Sequence, residues 1–534
     1  MSERIVIIGG GFAGAFTARY LKKYASKDST IELINPDNYF VFQPLLPEVA
    51  SGTISAPDAV TPLRQLLPGV KFRMATVTAI DRDRCSLTVL QGSHRKPQQV
   101  GYDQLVIAVG QKTNLEIAPG FPEHALCMRN LADAHELRNK VIRRLEHADI
   151  TTNEPLKRRL LTYVVAGGGF SGVETIGEIS EMIRRALRFY PNIAPEDIRA
   201  VLVQAGPQIL PELPAKLGEY ATRILRERNI EIIFDARVAS ATANAVFLDD
   251  GTRIDSCLLV STVGNGPRDF TANLDVELER GKIVVDKVLR AEGQANIWAL
   301  GDAALVPLAD DQYAPPTAQF AVREARCLAR NLAARQKNTD MTPFEYVPKG
   351  SLASIGNYKG VAEVYGIRFS SLLAWMSWRF LYIGMLPGFS TRLRVALNWL
   401  FDYFLPRSIV QIANRGSPGT IRRRYAEGEV ISRPGHYVDG FYTVLSGCLE
   451  SRIREAGDPE DFVRVLRPGD HWGERSLTSR ELTRGTLTAT QDTEVLILAA
   501  DDFRQLRDAF PALDDYLAGI SDEIYAPSLR GDDR

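Results

Sequence analysis

Two glycine clusters offer the clearest chemistry in this 534-residue chain. Gly9-Gly10-Gly11-Phe12-Ala13-Gly14 and Gly167-Gly168-Gly169-Phe170-Ser171-Gly172 both read G-x-G-x-x-G. Gly9 and Gly167 suit a tight turn. Gly11 and Gly169 let a pyrophosphate approach the backbone, and Gly14 and Gly172 allow close helix–strand packing. The free N–H groups of a following helix would complete an anion cradle. One such motif is a weak signal. Two, one nested in the domain begun by the other, predict two dinucleotides brought face to face.

The flanking elements agree. Ile5-Val6-Ile7-Ile8 and Tyr163-Val164-Val165-Ala166 read as buried strands, and Ala15 to Tyr24 and Val173 to Phe189 as helices. Second strands follow at Thr30–Ile34 and Ala200–Val203. The position after each, where an acid would hold a ribose hydroxyl, carries Asn35 and Gln204, amides without charge assistance.

Residues 1 to about 335 resemble the two-dinucleotide-binding flavoprotein superfamily. Leu105–Gly110, Leu259–Gly264 and Ile297–Ala304 look like its remaining signatures, the last with Gly301-Asp302. The resemblance implies FAD on Gly9, Gly11, Gly14, Asn35, Gly110, Gly301 and Asp302. It implies NADH or NADPH on Gly167, Gly169, Gly172, Gln204 and Gly264. An N-cap is the ordinary role for an Asp such as Asp302.

The segment Tyr39–Gly52 has no C-x4-C pair, which excludes thiol-based disulfide reduction. Instead Phe42-Gln43-Pro44-Leu45-Leu46 resembles type II NADH dehydrogenases, single-chain NADH:quinone oxidoreductases. Gly172-Val173-Glu174 and Pro315-Pro316-Thr317-Ala318-Gln319 support that family. By resemblance, Gln43, Pro44 and Ala318 line the flavin pocket. Glu174 would position the nicotinamide or relay a proton, and Gln319 would hydrogen-bond quinone or flavin. A carboxylate favoured at a helix N-terminus and an exposed helix polar residue are the ordinary readings of those two. Arg323-Glu324 depart from the family pattern. Sulfide:quinone oxidoreductase, which would use Cys127 and Cys327, is the alternative enzyme. A redox or cyclic-nucleotide sensor is the alternative of another class.

Between Ile367 and Ala426 lie nine arginines, one acid (Asp402) and three tryptophans. A predicted helix over Arg392–Leu405 places Leu393, Leu397, Leu400 and Phe404 on one face, widened by Trp399, Phe401 and Tyr403. Arg394, Asn398 and Asp402 lie opposite. Such a basic amphipathic helix suits an anionic bilayer surface. Residues 367–415 are the expected contact with the cytoplasmic face of a membrane, where quinone resides. Deletion from about 367 onward is expected to free the protein from membranes with flavin still bound.

After residue 416, short strands and glycine turns suggest a small β-barrel or jelly roll. The segment resembles a cyclic nucleotide-binding domain. Glu474 falls where the ribose hydroxyl would be held, and Arg484 near the phosphate partner, although R-x-A-T reads Arg484-Gly485-Thr486-Leu487. A ligand-free version of that fold stays open, as do cAMP against cGMP and a homodimer.

The expected architecture is therefore α/β. It comprises FAD-binding residues 1–115 and 266–344, NAD(P)H-binding residues 116–265, a membrane-associating region 345–415 and the tail 416–534. Composition agrees: 45% apolar and 24% charged residues exclude wholesale disorder. A net charge of −1 gives no reason to expect nucleic acid. Five dispersed cysteines argue against a disulfide framework, and six histidines without ligand spacing against a metal. The chain opens directly into a strand pattern rather than a signal peptide. No uncharged apolar run reaches the ~18 residues of a transmembrane helix.

Overall fold

The computed structural model describes residues 3–506, apart from 93–95, 269–270, 272–273, 310–311, 349, 357, 412–419, 437, 454–460, 474–476, 478–481, 501 and 504–505. Two five-stranded parallel sheets dominate. In the first, Arg4–Ile8 lies between Gln104–Ile107 and Thr30–Asn35, with Ile297–Ala299 and Lys71–Met74 at the edges. In the second, Thr162–Ala166 lies between Leu259–Ser261 and Arg199–Val203, with Ala125–Leu126 and Ile230–Ile233 outside. The continuous β-branched runs of the central strands are buried on both faces, as parallel sheets require. Ile297–Ala299 returns the chain to the first sheet.

The repeat is complete in its details. Each unit carries a three-stranded antiparallel meander, Thr76–Asp81, Ser86–Gln91 and Lys96–Gly101 in the first, Val238–Ala241, Ala245–Leu248 and Arg253–Asp255 in the second. The strands crossing between units, Lys112–Thr113 and Asn265–Gly266, pair antiparallel.

The region after residue 345 is not purely helical, contrary to the expected helical anchor. A three-stranded antiparallel sheet, Gly350–Gly356, Lys359–Val364 and Ile367–Ser370, precedes helices Ser371–Met385 and Phe389–Phe404. The sheet seats on helix Phe170–Ala186 where Gly177 allows it. A Cβ there would lie 2.6 Å from the Ile355 carbonyl oxygen.

The second helix inverts the usual amphipathic arrangement. Its polar side faces the protein: Asn398 donates to Asp58 at 2.8 Å, and Asp402 pairs with Arg407 at 2.8 Å. Trp399, expected in the outward stripe, is buried and donates to Glu48. Leu393, Leu397, Leu400, Phe401 and Phe404 remain exposed, Phe404 at 70% and Phe389 at 80%. Among the described residues no helix is long and apolar enough to cross a membrane.

The tail forms two four-stranded antiparallel sheets. Their inner faces share a core of Tyr442, Val444, Leu449, Leu466, Leu487 and Ile497. It docks on the second nucleotide unit. The Arg424 amide donates to His124 Nε2 at 2.9 Å, the Ala243 amide to the Arg424 carbonyl at 3.1 Å, and Thr242 to the Glu429 carboxylate at 3.0 Å.

Candidate functional site

Both glycine loops adopt one geometry. Gly9 and Gly167 turn at φ +106° and +107°, a region that favours glycine. A Cβ on Gly14 would lie 1.9 Å from the Gly9 carbonyl oxygen, and one on Gly172 1.7 Å from that of Gly167. Close packing explains these glycines. It does not explain Gly11, where a Cβ would meet no atom within 4 Å, or Gly169, where the nearest is Glu212 Oε1 at 3.8 Å. Open space beside a helix N-terminus fits a pyrophosphate in each unit.

The amides after the second strands serve the loops. Asn35 Oδ1 accepts from the Gly10 amide at 2.8 Å, and Gln204 Oε1 from the Gly168 amide at 2.9 Å. Their Nδ2 and Nε2 donate to the carbonyls of Asp37 and Gln208. The half-buried Asp302 carboxylate has no hydrogen bond among the described residues, and burial raises its pKa. It suits a polyol hydroxyl of a bound flavin. Glu324, at the departure from the family pattern, is buried and accepts from the Gly301 amide at 2.7 Å. It thereby holds the turn that presents Asp302. Burial pushes its pKa up to about 7, although the Gly301 hydrogen bond opposes the rise.

The other predicted positions separate by role. Gly110 turns at φ +64° beside open space, as a ligand contact would. Gly264 and Gly301 are packing glycines: Cβ atoms there would lie 2.5 Å from the Asn114 carbonyl oxygen and 2.8 Å from Ala13 Cβ. Gln43 is exposed in the short helix Gln43–Leu45, with Pro44, and donates to the Arg129 carbonyl at 3.1 Å. Ala318 opens helix Ala318–Gln336, capped by Thr317. Gln319 donates to the Gly350 carbonyl and accepts from the Tyr346 hydroxyl, both at 3.1 Å. Arg484 is exposed ahead of strand Gly485–Ala489, whereas Glu474 lies outside the described residues.

Glu174 is deeply buried, not at a solvent-open helix end. Its Oε1 accepts from the Ser354 amide at 3.1 Å and the Trp378 indole at 3.2 Å. Burial raises its pKa to about 8, outweighing both hydrogen bonds. It belongs to a buried acid cluster of which motif reading caught only this member. Glu48 accepts from the Trp399 indole at 2.8 Å and lies 3.6 Å from Arg379. Burial raises Glu48 to about 7, with Arg379 partly offsetting it. Glu178 accepts from Ser51 at 2.8 Å and pairs with Arg407 at 3.2 Å. Burial alone would raise Glu181, but ion pairs with Arg184, Arg185 and Arg228 bring it to about 2. The available signal was Glu174, Glu178 and Glu181 at helical spacing on one face.

Neither candidate cysteine is activated. Burial raises Cys127, and it raises Cys327 to about 11, against thiolate formation. All five cysteines are free, and no cluster among the described residues could hold a metal.

Comparison with known proteins decides the family. Residues 3–325 match the family described as pyridine nucleotide-disulphide oxidoreductase, and residues 349–408 match the NDH2 C-terminal domain. The type II NADH:quinone oxidoreductase Ndh of Mycobacterium tuberculosis is 32% identical over 422 residues, 76% of this chain and 89% of that protein. This chain belongs to the type II NADH:quinone oxidoreductase family. Another relative is the demethylphylloquinone reductase NdbB of Synechocystis, 31% identical over 74% of this chain and 95% of that protein. The fold of this type II family member resembles NDH2 of Plasmodium falciparum, solved in complex with NADH. There the TM-score is 0.71 at 21% identity, covering 77% of this chain and all of that one. Residues 422–510 match the cyclic nucleotide-binding domain family.

Proposed function

We propose that this protein oxidises NADH or NADPH and reduces a quinone, using FAD. Family membership carries the reading, and the paired open cradles at Gly11 and Gly169 support it. When bound, FAD supplies the two-electron chemistry between nicotinamide and quinone. The chain's own residues position the groups and manage protons. Gly11 and Gly169 would admit the pyrophosphates, and Asp302, on the turn that Glu324 holds through the Gly301 amide, would anchor the flavin's polyol. Quinone reduction takes up two protons. Glu174 and Glu48 hold protons near neutral pH beside the C-terminal helices, which suits a proton-donating role. Gln319, lying between Gly350 and Tyr346, would exchange one of those contacts for quinone or flavin. NADH oxidation by the FAD-loaded full chain that depends on added quinone tests the reading. The inert thiols of Cys127 and Cys327 weigh against sulfide as the electron donor.

The enzyme would lie on a membrane surface, at its cytoplasmic face. The outward apolar side of Phe389–Phe404, continued by Leu373 and Phe380 on the preceding helix, supports this. The tail would bind a cyclic nucleotide with Glu474 and Arg484. Its docking through His124 and Thr242 favours an effect on NAD(P)H use over an effect on the membrane helices. Calorimetry of the full chain with cyclic AMP and cyclic GMP tests this, with loss of binding expected in Arg484→Ala.

A further inference from the structure

Between the tail and the second nucleotide unit lies a cleft-like cavity of about 900 Å³, open to solvent on one side. One wall is helix Leu131–Ile150 and the end of helix Glu154–Leu160. The other is formed by strands Thr420–Tyr425 and Val430–Ser432 of the tail. The lining is strongly cationic. Lys140, Arg143, Arg144 and Arg159 face Arg423, and the acids on the same walls are Glu123 and Glu136.

Two of these cations are already paired, Lys140 with Glu136 at 2.9 Å and Arg423 with Asp439 at 3.3 Å. Arg143, Arg144 and Arg159 form no ion pair among the described residues. Among the described residues Arg144 donates only to main-chain carbonyls, those of Lys140 and Cys257. The Nε atoms of Arg144 and Arg159 are buried without a hydrogen-bond partner. The carboxylate acting on Arg159, that of Glu429, is already engaged by Thr242 and the Ala426 amide. A second cavity of about 340 Å³ continues past Arg159 to Arg253 and Arg433.

The half-buried guanidinium groups of Arg144 and Arg159, without ion pairs, are poorly solvated and match phosphate oxygens in geometry, and Arg143, exposed and donating to the Gln411 side-chain oxygen, stands at the rim beside them. The cavity exceeds what one phosphate needs and lies in the range of small-molecule sites. Its position separates it from the dinucleotide cleft. Leu160, Ser256, Cys257 and Leu258 line it, at the N-terminal edge of the parallel sheet. Gly167–Gly172 follows the C-terminal end of Thr162–Ala166, where dinucleotides bind. Arg484 does not line it.

We propose that this interdomain cavity binds a polyphosphate-bearing small molecule, which bridges the tail and the nucleotide unit. Inorganic triphosphate and nucleoside triphosphates share the required chemistry. Calorimetry of the FAD-loaded full chain, with excess NAD⁺ occupying the dinucleotide cleft, tests the proposal. Triphosphate and ATP should both bind. ATP alone would assign the nucleoside as part of the ligand, and equal affinity would assign the phosphate chain. Arg143→Glu, at an exposed position, and Arg159→Gln should each weaken binding about tenfold or more. Turnover of NADH and quinone without the anion should be unchanged in both. Arg143→Glu alone decides if Arg159→Gln melts early. No binding of either compound at millimolar concentration would overturn the proposal, as would binding that Arg143→Glu leaves unchanged.

Discussion

The indole N–H of Trp378 donates to Glu174 Oε1 at 3.2 Å, across 204 residues of sequence. The same helix pair supplies Trp399 to Glu48, and Arg407 follows to Glu178. The C-terminal region is thus fastened through Glu174 and Glu178 to the helix that leaves the second glycine loop, and through Glu48 to the short helix Leu46–Ala50 of the first unit. Removing residues from 367 onward would take away the indole and guanidinium partners of those carboxyls, leaving Glu174 the Ser354 amide and Glu178 the Ser51 hydroxyl. That truncation therefore tests core stability as much as membrane binding.

Glu174 should tie stability and turnover to pH. Its folded pKa of about 8 lies above the ordinary 4.5, so the native state holds more protons in that window. Its stability contribution is full below about 4.5 and is lost as pH rises through about 8. Each such group contributes a slope of up to about 1.4 kcal/mol per pH unit. Glu174→Gln should flatten the fall in chemical-denaturation stability. If Glu174 delivers a proton, the variant should also slow quinone reduction about a hundredfold while flavin reduction by NADH continues.

The two glycine roles separate by mutation. Gly11→Ala points into empty space, so the apoprotein should melt as wild type while flavin affinity falls at least about tenfold. Gly14→Ala forces a Cβ onto the Gly9 carbonyl and should cost about 1–3 kcal/mol even without flavin. Thermal melts with flavin titration distinguish them.

Coenzyme choice should respond to the residue at position 204, where Gln204 accepts from the Gly168 amide. Gln204→Glu keeps an acceptor for the Gly168 amide and adds a charge that attracts ribose hydroxyls and repels a 2′-phosphate. The NADH-to-NADPH ratio of kcat/KM should rise roughly tenfold or more, measured at steady state.

The outward face of Phe389–Phe404 should carry membrane affinity. Each leucine buried in a bilayer contributes about 1.5–3 kcal/mol. Leu393→Glu with Leu400→Glu should therefore weaken vesicle binding by roughly two orders of magnitude, with flavin content unchanged. Flotation with anionic vesicles reads this out.

Much of the scaffold was legible because close packing and phosphate approach each demand glycine at fixed spacing. Gly9 to Gly14 and Gly167 to Gly172 thus marked both nucleotide units, and β-branched runs marked the central strands. The strand Gly350–Gly356 was not legible, since Ser354, buried between Ala353 and Ile355, breaks any alternation of apolar and polar residues. Amphipathicity located the Phe389–Phe404 helix but not which side faces the protein. Asp402 is drawn inward by Arg407 and Arg185, a choice set by residues distant in sequence. The same limit hid Glu48 and Glu178, whose partners come from the C-terminal region.

Single-turnover stopped flow with the FAD-loaded full chain addresses the central claim most directly. NADH should bleach the flavin absorbance anaerobically, and a soluble quinone mixed in afterwards should restore it at a rate no slower than steady-state turnover. A flavin that NADH does not reduce, or a reduced flavin that quinone leaves bleached, would contradict the account.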